Sequence, residues 1–597
     1  MKPMSYLSCA ARAAAVFASV RATLPSLLLC AALPAHAAAA ADAAAPSYDV
    51  LISGGTIYDG SGGAAFTGDV GIKGDRVAYV GPHAPGSARE RFDAHGKAVA
   101  PGFVNMLAHP EVSLLHDGRA LSDLRQGVTL EVLGEDSMGP LSAEMKRLDV
   151  KRQGDIHYDV DWTTLGEYLS KLEKRGIAPN VASFVGAGTV RTYVLGERDV
   201  QPTEAQLGQM RQLVREAMEE GAVGVTTALI YAPNTYAKTP ELIALATESA
   251  RCGGIYSAHM RSEGDRLIEA VQETIEIAKA SGAPAEIYHL KAAGKRNWNK
   301  LDELVRTVDA ARAAGTRITA DMYVYTAGAT GLDAAMPPWV QDGGLEAWIQ
   351  HLQDPATRQR VIGEMRDANA SWENLYAAAG PAGMLLLEFK NPKLKPLTGK
   401  TLAEVARERR VSPEDAAIDL VIEDGSRVGV AYFLMSEDNI RREVALPWVS
   451  FDSDADAPAP EGVFLKSSRH PRTYGNFARV LAKYVRDDHV LTLPQAIRKL
   501  AALPAATLSL ADRGELKAGY YADVVVFDPN TVQDHSTYEK PQQLATGVDD
   551  VWVNGVRALR GGEATRAPSG RAVRGRAWSG ASGGGCRATA SDWTWSK

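Results

Sequence analysis

Eight short, apolar, β-branched-rich segments with helical patterns between them constrain this chain more than any other feature. They are Pro101–Leu107, Leu130–Gly134, Val181–Val185, Ala222–Thr227, Gly254–Ala258, Ala285–Tyr288, Arg317–Tyr323 and Trp448–Phe451. Thr203-Glu-Ala-Gln206 forms a capping box ahead of Leu207, Met210, Val214 and Met218 at helical spacing. Leu267–Ala280, Leu301–Ala313 and Ser412–Ile422 read alike, the last with Ser412 as N-cap and Pro413 in its first turn. Strands that alternate with helices pair in parallel through right-handed crossovers, and eight of them close most simply into a (β/α)8 barrel. The competing layout is a doubly wound open sheet. No Gly-x-Gly-x-x-Gly loop follows the first strand, however, and no P-loop occurs.

The flanks differ from this middle. Residues 48–100 read as short strands separated by Gly54-Gly55 and Asp59-Gly60-Ser-Gly-Gly63, and strand-like Ala522–Phe527 and Val548–Asn554 lie far downstream. Two strand-rich ends around an α/β middle predict one small β-sandwich domain built from residues 48–100 and 511–575, beside a barrel of 101–510. The connection before the eighth strand, about 327–447, exceeds an ordinary loop and predicts an inserted subdomain able to lie over the barrel mouth. After residue 576 the Gly/Ala/Ser-rich chain predicts a disordered tail, 576–597.

The N-terminus reads as an export signal over residues 1–37. Lys2, Arg12 and Arg21 precede any acidic residue, Ala22–Leu33 is apolar but too short to span a bilayer, and Ala35-His36-Ala37 offers a small-x-small cleavage site. This predicts a periplasmic protein without stable membrane association once the signal is removed. A net charge of −7 argues against nucleic acid or an anionic membrane as partner. Beyond the signal only Cys252 and Cys586 remain, too few for a disulfide framework. Cys252 reads as a small buried thiol, and Cys586 falls in the tail.

Chemistry concentrates at strand ends. His259 and His289 each close a strand, thirty residues apart, one strand–helix–strand unit. Barrel enzymes place catalytic groups at strand C-termini, and imidazole suits zinc, so the two read as a metal pair. Asp454, closing the eighth strand in Trp448-Val-Ser-Phe-Asp-Ser-Asp454, reads as a proton-shuttling carboxylate, with Asp452 its rival. Catalytic zinc usually holds three protein ligands, and the second strand's end offers Glu135 or Asp136 for the third. His109, alone at the first strand's end, is the weaker candidate.

With these residues in view, the chain resembles the amidohydrolase superfamily and, within it, the N-acyl-D-amino-acid deacylases, over about residues 48–575. The resemblance rests on Leu51-Ile-Ser-Gly-Gly-Thr-Ile-Tyr-Asp-Gly60, Ala100-Pro-Gly-Phe103, His259-Met-Arg-Ser-Glu-Gly-Asp265, His289-Leu-Lys291 and Tyr323-Val-Tyr-Thr-Ala-Gly328. It continues through Phe451-Asp-Ser-Asp454, His470-Pro-Arg472, Tyr474-Gly475, Gly514-Glu-Leu-Lys-Ala-Gly519 and Ala522-Asp523. It implies zinc on His259 and His289, catalytic Asp454, and Lys291, Tyr323 and Arg472 around a substrate α-carboxylate. Three departures stand out. The family's first strand ends Asp-x-His-x-His, whereas here it is Asn105-Met-Leu-Ala-His109. The family's cysteine after strand two gives way to Glu135-Asp136, and Ala329 stands where members carry Ser. A single zinc held by His259, His289 and a carboxylate is the implied centre. The implied activity is hydrolysis of an N-acyl-D-amino acid, a small-molecule substrate. The alternatives are another amidohydrolase acting on a cyclic amide or dipeptide, and a non-catalytic binding protein.

Overall fold

The structure, a computed structural model, describes residues 47–578 together with 580 and 586. The export signal read over residues 1–37 and most of the predicted tail lie outside the described residues.

The barrel expected from the alternation is present. Its strands are Phe103–Ala108, Val128–Leu133, Asn180–Ser183, Gly224–Ala228, Ile255–His259, Ala285–Ile287 and Ile318–Ala320, and the eighth is an isolated bridge from Ala320 to Val449. Neighbouring strands pair in parallel. The third and fourth join through the amide of Val223 and the carbonyl of Ser183. The ring closes where the amides of Met106 and Asp454 donate to Phe451 and Leu107 (3.4 and 3.0 Å). The strands are buried along their length, as parallel strands covered by helices must be.

Residues from both ends of the described chain build one nine-stranded sheet, in which Val524–Phe527 pairs antiparallel with Ala98–Pro101. The period of two divides that strand's labour. Val524 and Val526 enter the small domain's core with Ile52, Val70 and Trp552, whereas Val525 and Phe527 join the barrel core. Phe527 meets Phe103 of the first barrel strand with ring centroids 6.2 Å apart. The segment between the last two barrel strands carries its own three-stranded sheet of Ala327–Gly331, Met384–Glu388 and Gly429–Phe433. Among the described residues no helix is long and apolar enough to cross a membrane.

One cysteine expectation is corrected. Cys252 is not a free thiol: it is disulfide-bonded to Cys586, 334 residues away. Cys586, expected in the tail, is tied to the barrel by this bond, and a strap of the described chain before it runs along the barrel floor. The amides of Gly570, Val573 and Gly575 donate to Ile177, Val181 and Gly221, beside the starts of the third and fourth strands. Spacing could not reveal this pair, since the strap's path depends on the closed barrel. A cross-link over so long a loop typically contributes about 2–4 kcal/mol, chiefly by restricting the unfolded chain. Cys586→Ser should therefore lower the apparent melting temperature by several degrees, and a reductant should lower that of the wild type alone. Identical melting curves with and without reductant would mean the bond does not form.

Candidate active site

The strand ends converge on a cavity of about 740 Å³ at the C-terminal mouth of the barrel. Glu135 Oε1 lies 2.8 Å from His259 Nδ1 and 3.1 Å from His289 Nε2. Its other oxygen faces His109 Nε2 at 3.8 Å, and that nitrogen lies 3.1 Å from Asp454 Oδ1. Two sets of three donors therefore share one carboxylate: Glu135 with His259 and His289, and Glu135 with His109 and Asp454, each set spanning less than 4.8 Å. All of these atoms can present lone pairs to a common centre. Convergence of that kind requires protons or a cation, and two imidazoles with one carboxylate suit zinc with a position left open.

Local backbone aims these groups. Glu135, His289 and Asp454 each follow a strand in left-handed conformation, with φ of 67°, 36° and 44°. Non-glycine residues rarely adopt that region, and where they do they cluster at functional sites. Gly134 is required just before Glu135, because a Cβ there would stand 2.4 Å from the Tyr288 hydroxyl. Asp321, at the seventh strand's end, accepts the backbone N–H of His289 and fixes its turn.

Lys291 Nζ lies 2.6 Å from Glu263 Oε1 and 2.8 Å from His289 Nδ1. Glu263 also stands 3.0 Å from His289 Nδ1, so it braces the imidazole from behind. Burial opposes its charge, but Lys291 and the two histidines outweigh that and hold the carboxyl well below the usual range. Arg472 Nη1 pairs with Asp454 Oδ2 at 2.7 Å. Burial again opposes ionisation, and Arg472 above all keeps Asp454 low, at about 2. Lys291 and Arg472 both lie over the Tyr323 ring, 5.5 and 4.4 Å from its centre.

The predicted residues His259, His289, Glu135, Lys291, Tyr323, Asp454 and Arg472 all line this cavity. Asp136 lines it too but belongs to neither donor set and faces the amide of Asn234 at 3.5 Å. His109, weighed as the weaker candidate because it stood alone in its strand, sits inside the second set. Asp452 is fully buried below the mouth, apart from the cavity lining. Sequence reasoning gave no role to Glu263, although its place four residues after His259 was a usable signal, nor to Asp321 or Arg427.

The amidohydrolase family model matches residues 90–558. The chain belongs to the amidohydrolase family. It is 33% identical to a D-aminoacylase from Alcaligenes xylosoxydans xylosoxydans, over 85% of this chain and 94% of that one. A D-aminoacylase structure with a binuclear metal centre matches at TM-score 0.73 and 32% identity, covering 88% of this chain and all of that one. The N-acyl-D-glutamate deacylase of Bordetella bronchiseptica, solved with zinc and a phosphonate mimic of the tetrahedral intermediate, matches at TM-score 0.72 and 28% identity. It covers 89% of this chain and all of its own.

Where the amidohydrolase's first strand carries Asn105 instead of the usual aspartate, the amide does structural work. Asn105 Nδ2 lies 2.9 Å from Asp123, 3.0 Å from Glu131 and 2.7 Å from Ser453, all buried. Burial above all, with the Glu131 charge acting on Asp123, holds both carboxyls above the ordinary carboxylate range. A carboxyl raised in the fold binds more protons than in the unfolded chain, so stability falls as pH rises past its ordinary value. Asn105→Asp adds a third carboxyl to this cluster. It should cost about 1–3 kcal/mol at pH 8 and visibly less at pH 5. Equal melting-temperature losses at the two pH values would contradict this account.

Proposed function

We propose that this amidohydrolase is an exported zinc enzyme that hydrolyses N-acyl-D-amino acids to a carboxylate and the free D-amino acid. The observation that carries the reading is the shared carboxylate: Glu135 meets His259 and His289 with one oxygen and faces His109 with the other. The D-aminoacylase and deacylase relatives support the substrate class.

Under this reading His259, His289 and Glu135 hold the tight zinc. His109, Asp454 and the far oxygen of Glu135 form a weaker second set. His259 turns its Nδ1 toward Glu135, and its buried Nε2 has no hydrogen-bond partner. Zinc, when bound, supplies Lewis acidity that polarises the amide carbonyl and brings the pKa of water down to about 7. Asp454, kept ionised by Arg472, accepts the proton from water and returns it to the amide nitrogen, which leaves only once protonated. Lys291, Tyr323 and Arg472 receive the α-carboxylate. Arg472 has a buried Nε with no partner, and its planar fork suits a carboxylate.

His259→Ala, His289→Ala and Glu135→Ala should each lose tightly bound zinc by elemental analysis, with His109→Ala and Asp136→Ala retaining it. Asp454→Asn should keep its tight zinc and its fold yet lose about 10²–10⁴-fold in kcat, and Asp452→Asn should be milder. Zinc loss in His109→Ala with retention in His259→Ala would reverse the two sets. Near-normal turnover by Asp454→Asn would remove the proton shuttle.

Export to the periplasm is supported by the charged start, the short apolar run and Ala35-His36-Ala37. The Cys252–Cys586 bond suits an oxidising compartment. N-terminal sequencing of the mature protein should begin near residue 38. An intact Met1 would contradict export.

A further inference from the structure

Five cationic side chains line the catalytic cavity, and four are shielded. Arg152 divides itself between Glu197 and Glu346, Arg469 between Asp456 and Glu388, and Lys291 and Arg472 are almost fully buried against Glu263 and Asp454. Arg427 differs: 53% of its side chain is exposed, yet it stands within the cavity lining. Its Nε contacts Asp333 Oδ2 at 2.8 Å and its Nη2 donates to Thr330 at 3.1 Å. Among the described residues Nη1 has no partner.

The backbone presents this side chain deliberately. The next residue, Val428, has φ of 53°, which is strained for a β-branched residue. That turn is held by the amide of Leu332 donating to the Arg427 carbonyl at 2.7 Å, and by the amide of Val428 donating to Ser426 at 3.0 Å. The Tyr231 ring then links Arg427 to the reaction centre. The guanidinium lies 5.1 Å from its centroid on one side, and the His259 ring lies 5.2 Å from it on another.

Resting on the deacylase reading above, we propose that Arg427 is a specificity-determining residue that binds a second substrate carboxylate, on the side chain of the D-amino acid. The substrates are then N-acylated acidic D-amino acids. Lys291, Tyr323 and Arg472 already account for the α-carboxylate, so a further open guanidinium calls for a further anion. A glutamate side-chain carboxylate lies roughly 6 Å from the scissile carbon across five bonds of about 1.5 Å, a reach comparable with the 5.2 and 5.1 Å that separate the Tyr231 ring from His259 and Arg427. Asp333 and Thr330 keep Arg427 oriented while leaving Nη1 free.

The test compares kcat/KM of the zinc-loaded enzyme for N-acetyl-D-glutamate, N-acetyl-D-aspartate, N-acetyl-D-leucine and N-succinyl-D-leucine. The wild type should favour the acidic side chains over leucine. In Arg427→Met the glutamate-to-leucine ratio should fall about 10- to 100-fold, the worth of a charge-assisted hydrogen bond. Arg427→Lys should keep part of the preference. Because the readout is a ratio within each variant, partial misfolding cancels. An unchanged ratio in Arg427→Met overturns the proposal, as does a selective loss for N-succinyl-D-leucine, which would place the second anion on the acyl group. Failure to hydrolyse any N-acyl-D-amino acid would instead refute the deacylase reading itself.

Discussion

One carboxylate organises the mouth of this barrel. Glu135 is enclosed by three imidazoles from three other strands, and among the described residues it is the member common to both donor sets. Its charge is tolerable in a closed site only because those rings surround it. Burial would push Glu135 up, and the histidines, His259 foremost, hold it well below the ordinary range. One of the three imidazoles is in turn braced from outside: His289, by Glu263 and by the Asp321–backbone bond. Outer partners of this kind set ring orientation and basicity as much as the inner donors do.

Stability and chemistry occupy opposite ends of the fold. At the floor, the shared strand Val524–Phe527 and the C-terminal strap knit the small sheet to the barrel through ordinary pairing and apolar packing. At the mouth, Glu135, His289 and Asp454 all occupy left-handed backbone, a local cost that a well-anchored floor can sustain. Separation along the barrel axis is what allows loops at one end to vary in function over a fixed scaffold.

Charge at the mouth is unevenly distributed. Most cations lining the cavity are neutralised by a neighbouring acid, leaving a field dominated by carboxylates. Such a cavity favours cations at its centre and would repel an anionic substrate unless guanidinium groups are presented where the anion lands. Arg472 lies against the Tyr323 ring and Arg427 against the Tyr231 ring, two different rings of the cavity lining. The geometry therefore suits a substrate with more than one acidic group.

The sequence by itself determined the barrel and two of its histidines. Strand and helix periods are local, and a histidine that ends a strand can be located by counting, so His259, His289 and Asp454 were legible before any fold was seen. Tertiary structure alone decided between Glu135 and Asp136. The two are adjacent, and a left-handed turn at Glu135 sends one carboxylate to the histidines and the other to Asn234. His109 looked isolated because its partners come from the second and eighth strands, reached only when the ring closes. Cys252 and Cys586, 334 residues apart, likewise meet only in the folded chain. Arg427 owes its place to a strained turn in the insert, which no period in the sequence encodes. Local patterns fix which elements form, whereas relations among residues distant in sequence depend on how those elements close upon one another.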